Sequence, residues 1–209
     1  MKQETEKELQ EGAAAQQPAE AAQPSPQKAA LKRIWDATGY LIVPAAVVFL
    51  LLGVIFSLAW VPSGSMEPTL PTHSYFLGWR LSYLTGDPAP ERGDIIMFRS
   101  DELDELLVKR VVGLPGDTVS LADGYVYING AALEEDYLSV QGYTWPLTDT
   151  DAFTVPEGCV FVMGDNRTNS LDSRAWNDPY VPVEKIRAKA LVDVAFWPNC
   201  TWKGVRYLY

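Results

Sequence analysis

Three short segments of this 209-residue chain set polar side chains inside or beside apolar runs: PSGSMEPTL at 62–70, VKRVVGLPGD at 108–117 and VMGDNRTNSLDSR at 162–174. Serine hydroxyls, a lysine and paired acidic and basic residues are the parts from which acyl-transfer sites are assembled, a hydroxyl attacking a carbonyl while a base removes its proton. The usual base is histidine, but His73 is the sole histidine here. A Ser-His-Asp triad therefore has no second histidine to draw on, and His73 itself reads as an exposed loop residue. Singly, each segment also has an ordinary explanation: a Pro-Ser-Gly-Ser loop, a solvated Lys109-Arg110 pair, a Gly-Asp-Asn turn.

The elements that must position these segments are legible along the chain. Residues 1–36 are rich in Ala, Gln, Glu and Pro, and the first thirty have almost no large apolar side chains, the composition of a disordered tail. Tyr40 to Trp60 is an uncharged apolar run, and twenty-one residues at ~1.5 Å each span roughly 30 Å, a bilayer's hydrocarbon thickness. The span is assigned to 37–60 and the following domain to 61–209. A cleaved signal peptide would have a shorter apolar region nearer the N-terminus. Lys28, Lys32 and Arg33 precede the span and the first basic residue after it is Arg80, so the positive-inside rule places the N-terminus in the cytoplasm and the later domain outside. Pro44 is read as lying in the first turns of this helix, where a missing N–H is cheap.

Past Ser63 the pattern becomes short apolar or alternating runs between turn residues, which read as strands. Val119–Leu121 and Tyr125–Ile128 form a hairpin about Ala122-Asp123-Gly124, and CVFVM and AKALVDVAF add two more strands. With no amphipathic helix evident after residue 66, the expected fold is mostly β, an antiparallel sheet domain behind one N-terminal transmembrane helix. The mixed stretch from Glu134 to Pro156 reads as a surface excursion.

Composition removes several function classes. The chain carries a formal charge of −10, and beyond residue 36 it holds 12 basic against 21 acidic side chains, which repels phosphate backbones and excludes nucleic acid as a partner. Cys159 and Cys200 lack the spacing of a zinc or redox motif and are open to either one disulfide or two separate thiols.

Taken together and in order, the three segments resemble the signature boxes of bacterial type I signal peptidases, the leader peptidase family. RGDIIMF at 92–98 supplies a fourth box, and LSYLTGDPAPERGD, VPEGCVFVMGDN and VAFWPN are similar to neighbouring stretches, so the likeness runs from about Trp60 to Trp197. The resemblance implies Ser65, directly before Met66, as nucleophile, and Lys109 as general base. It implies Ser63 and the Ser65 N–H as oxyanion hole, Ser170 as the residue orienting the lysine, and Asp172 and Arg174 as a supporting ion pair. A lysine starts near a pKa of ~10.4 and accepts a proton only when neutral. Val108, Val111 and Val112 make its burial plausible, and burial lowers a lysine by up to ~3–5 pKa units.

The same resemblance implies a membrane-bound serine endopeptidase that removes signal peptides from secreted preproteins, reading small residues in an Ala-x-Ala pattern, with the bilayer as its other partner and no metal or organic cofactor. Trp60, Trp79 and Trp145 are open to two readings, contact with the membrane interface or packing in the β-core. The chain departs from the family pattern in two places. Thr168 stands where the last box commonly has a second aspartate. FSLAWVPSGSM also follows the apolar run without a break, where the family usually has a charged or Glu-Pro-containing strand. Either the helix ends near Ile55 with Phe56–Pro62 as first strand, the favoured reading, or the active site sits unusually close to the lipid. A self-cleaving Ser-Lys repressor is excluded by the span and by the lack of a DNA-binding helix pair. A tethered binding module is the rival from another class, and intact Ser63, Ser65, Lys109 and Ser170 stand against it.

Overall fold

The computed structural model describes residues 26–81, 89–196 and 202–208, which divide into two units between Phe49 and Leu50. Most of the expected tail lies outside the described residues. Its last part does not remain irregular: helix α1 runs Pro26–Ile55. Gln27 to Arg33 is dominated by Ala, Leu, Lys and Arg, all good helix formers, and proline is well tolerated at a first helical position. Pro44 is consequently interior to α1 rather than in its first turns. Such prolines persist in apolar helices where the freed carbonyl finds local compensation. Within α1, Thr38–Ile55 has a mean hydropathy of 2.4, and its 18 residues reach about 27 Å. By length and composition this helix can cross a membrane.

The chain leaves α1 directly into strand β1, Phe56–Trp60, so the first strand starts where the apolar run still continues. The Arg80 N–H donates to the Ile55 carbonyl at 2.8 Å, and its guanidinium reaches the Gly53 carbonyl at 3.3 Å, satisfying carbonyls that a helix end leaves open. Strands β2 (Tyr75–Trp79), β3 (Ile95–Ser100), β4 (Glu105–Gly113), β9 (Cys159–Met163), β10 (Tyr180–Pro182), β11 (Ile186–Phe196) and β12 (Trp202–Tyr207) join β1 in an eight-stranded sheet. Its order is β1-β2-β11-β3-β4-β9-β10, with β12 on β11, and its pairings among the described residues are antiparallel. A second sheet of order β7-β6-β5-β8 comprises β5 (Thr118–Ala122), β6 (Tyr125–Ile128), β7 (Ala131–Ala132) and β8 (Ala152–Thr154). The fold is thus mostly antiparallel β, as expected.

Strand periodicity divides the core. Ile95 and Met97 of β3 join Val61, Met66, Leu70 and Phe76 in one cluster, while Ile96 and Phe98 join Val111, Val160, Val162 and Trp176 in another, because successive side chains point to opposite faces. The hairpin forms with its turn at Asp123-Gly124, and a second turn follows at Asn129-Gly130. All four residues have positive φ, the backbone that two-residue hairpins of this hand require.

The stretch from Glu134 onward is only partly a surface excursion. Ala152–Thr154 forms β8 against β5, and Glu135, Thr144 and Phe153 are buried. Acidic and hydroxyl residues look solvent-facing when nothing local shows them a partner; here the partner is Arg167, about thirty residues further on.

Candidate active site

The first segment folds as a single 3-10 turn, Gly64–Met66, anchored by Met66, which is 1% exposed in the core. The Met66 carbonyl accepts from the Leu70 N–H at 2.8 Å. Ser65 is thereby held half-buried at the rim while its neighbour is fixed inside. On β4, Lys109 pairs in register with Ile96 of β3 and is 4% exposed. Its Nζ stands 2.7 Å from Ser65 Oγ, so the structure brings together two residues forty-four positions apart. Burial lowers the Lys109 pKa from 10.5 to about 8, against the upward pull of Asp172 and Asp165, with Arg174 adding to the lowering. A neutral amine at this distance accepts the hydroxyl proton of Ser65; a protonated one cannot.

Ser63 is exposed, its hydroxyl 3.4 Å from Ser65 Oγ. Asp172 and Arg174 form a buried two-point pair, with Arg174 Nε and Nη2 donating at 2.8 and 2.9 Å. Asp172 also accepts from the Gly164 N–H at 3.0 Å, which ties the pair to the turn beside Ser65. Ser170 departs from expectation. Its hydroxyl is buried without a hydrogen-bond partner among the described residues, so the expected bond to Lys109 is not formed. It packs instead against Gly164, where an added Cβ would lie 2.2 Å from Ser170 Oγ and 2.5 Å from the Ser65 carbonyl oxygen.

Several residues that sequence reasoning left aside prove to build the site. Asn166 donates from its backbone to the Ser65 carbonyl at 3.0 Å and from its side chain to the Gly64 carbonyl at 3.1 Å. The Thr168 hydroxyl donates to Asn166 Oδ1 at 3.2 Å, an orienting bond that an ionised aspartate at 168 could not make. Arg110, read singly as half of a solvated pair, holds Asp165 at 2.9 and 2.7 Å, and Thr69 donates to the same carboxylate at 2.5 Å. The Gly-Asp-Asn segment is thus clasped to both the nucleophile turn and β4. The short hydroxyl side chain at 69, three residues from Met66, was the available signal.

The remaining sequence candidates lie apart from this pair. His73 is exposed at φ 64 and stacks on Trp60 with ring centroids 5.8 Å apart. Trp79 is half-buried and meets Phe56 edge-on, whereas Trp60 and Trp145 are about half exposed. Cys159 is half-buried and has no disulfide partner among the described residues, and Cys200 lies outside them. Among the described residues no group of histidine, cysteine and acidic side chains could hold a metal ion.

A hydroxyl facing a buried amine within a β domain is the arrangement of a serine hydrolase that works without histidine. Comparison with known proteins carries this further: residues 34–197 match the family described as signal peptidase, peptidase S26. A signal peptidase I of Leptolyngbya laminosa is 41% identical over 148 residues, covering 66% of this chain and 68% of its own length. One from Bacillus caldolyticus is 38% identical over 69% of this chain and 81% of its own. A probable signal peptidase I-2 of Synechocystis sp. is 38% identical over 66% of this chain, and the match spans 62% of that relative. The chain belongs to the signal peptidase family, peptidase S26.

Proposed function

We propose that this chain, as a signal peptidase, cleaves N-terminal signal peptides from preproteins with Ser65 as nucleophile and Lys109 as general base. The observation that carries the reading is the 2.7 Å approach of a buried lysine to Ser65 Oγ. Ser65 Oγ attacks the scissile carbonyl as its proton passes to neutral Nζ. The Ser63 hydroxyl and the Ser65 N–H stabilise the oxyanion, which is typically the largest catalytic contribution. The lysine then returns its proton to the leaving amine, releasing the mature protein. With the next water it acts as base again and frees the signal peptide from Ser65.

Two strand edges support an extended substrate. In β4, the register to β9 covers Arg110 to Gly113, whereas Glu105–Lys109 pair only with β3 among the described residues. Among the described residues β1 likewise pairs with β2 alone. A peptide laid along such an edge gains main-chain hydrogen bonds, with alternate side chains entering pockets. Half-buried Ala59 and Val108 pack against the cluster that holds Met66. Small residues on alternate positions, the Ala-x-Ala pattern, suit so shallow an apolar surface. Lys28, Lys32 and Arg33, in α1 ahead of its apolar Thr38–Ile55 stretch, favour a cytoplasmic N-terminus and a catalytic domain outside the cell membrane.

The test is incubation of the purified full chain, its Ser65→Ala form and its Lys109→Ala form with a preprotein in detergent. Cleavage by the parent alone is expected. Undiminished cleavage by either variant contradicts the dyad, and none by the parent favours a tethered binding module.

A further inference from the structure

The stretch between β7 and β8 carries a charged cluster that the reaction does not use. Glu135 is 5% exposed and Arg167 is 5% exposed. Arg167 Nη1 donates to Glu135 Oε2 at 2.9 Å and Nη2 to Oε1 at 2.5 Å. The Tyr137 hydroxyl donates to Glu135 Oε1 at 2.5 Å, and Arg167 Nη1 also reaches Thr144 Oγ1 at 2.7 Å. Burying such a pair is weak evidence for stability, because desolvation cancels much of the attraction; its best-attested use is to fix one arrangement of the chain.

What it fixes here is the loop bonded to the Ser65 turn. Arg167 Nε donates to the Gly164 carbonyl at 3.1 Å, and the Arg167 carbonyl accepts from Arg174 at 3.0 Å. Its neighbour Asn166 makes the two bonds to Gly64 and Ser65. A second line runs through Tyr137, whose ring lies 3.9 Å beneath the Arg110 guanidinium, the group that holds Asp165. Burial, then the charge of Glu135, holds the Tyr137 phenol well above its ordinary pKa, so it stays a donor.

We propose that Glu135 and Tyr137 are positioning residues, through which the 135–144 stretch sets the Gly164–Ser170 loop and with it the Ser65 turn. The proposal rests on the Ser65–Lys109 reading for its consequence in catalysis, but not for its consequence in loop order.

Three variants, Glu135→Gln, Tyr137→Phe and Thr144→Val, test it in the full chain in detergent, well below the unfolding temperature of each. Two readouts apply: steady-state cleavage of a preprotein, and amide hydrogen exchange across 164–170. For Glu135→Gln the expectation is a fall in kcat of about tenfold with KM within about twofold, the mark of a misplaced reacting group rather than weakened substrate binding. Exchange across the loop accelerates, and Glu135→Asp restores part of both. Tyr137→Phe shows the same pattern at about threefold. Unchanged kcat and unchanged exchange in a folded Glu135→Gln overturn the proposal. Should that variant not fold, Tyr137→Phe and Thr144→Val decide: parental kcat and exchange in both overturn it, and a fall in kcat with faster exchange in either supports it. If the parent itself does not cleave, the dyad reading fails alone, and the exchange rates still judge the positioning.

Discussion

Removing the amine of Lys109 should make the protein inactive and, over a defined pH range, more stable. The Lys109 pKa falls from 10.5 to about 8 on folding, chiefly through burial. The folded state therefore disfavours the protonated form by about 3 kcal/mol. Since the folded value lies below the unfolded one, the penalty is full below about pH 8, shrinks as pH rises, and vanishes above roughly pH 10.5, where both states are neutral. Lys109→Met keeps the apolar stem and volume without the charge. Urea unfolding of parent and variant in detergent should show the variant about 3 kcal/mol more stable near pH 6, with the gap narrowing through pH 9 and closing near pH 10.5. A gap that stays constant across that range would refute the claim that Lys109 is held neutral at a cost in stability.

Ser63→Ala should lower kcat by about 10²–10³ while leaving the unfolding midpoint near the parental value, because the lost donor acts on the oxyanion and the side chain is exposed. Gly164→Ala should abolish cleavage and destabilise the domain by about 1–3 kcal/mol in thermal unfolding, since its Cβ would press on Ser170 Oγ and the Ser65 carbonyl. Asp172→Asn leaves Arg174 buried without its counter-charge and should cost about 3–5 kcal/mol. Asp172 is also the largest influence raising the Lys109 pKa, so the rise of kcat/KM with pH in whatever folds should move to lower pH.

The elements announce themselves locally, which is why they were legible. Uncharged residues ahead of Ile55 mark the apolar part of α1, β3 and β9 are short apolar runs, and Asp123-Gly124 and Asn129-Gly130 carry their turns in their own conformational preferences. The dyad was reached by a different route, through the resemblance of Ser65 and Lys109 to family boxes, with the lone histidine narrowing the choice of base. What stayed hidden depends on partners far apart in sequence. Arg110 meets Asp165 across fifty-five residues and Arg167 meets Glu135 across thirty-two, and no periodicity or spacing links such pairs. Glu135 and Thr144, in a polar stretch, looked like surface for that reason. Ser170 shows the reverse: a box position assigned a bond to the lysine faces the Gly164 backbone instead. The start of α1 was missed because the Pro- and Gln-rich tail was read as one composition, although Gln27 to Arg33 has good helix propensity.

The central claim is that a neutral Lys109 takes the proton of Ser65. The pH dependence of kcat/KM for preprotein cleavage tests it most directly, since that profile reports the pKa values of the free enzyme's essential groups. Activity should rise about tenfold per pH unit at low pH and level off with a midpoint at about 8. A profile flat from about pH 5 to pH 10 would contradict a lysine base.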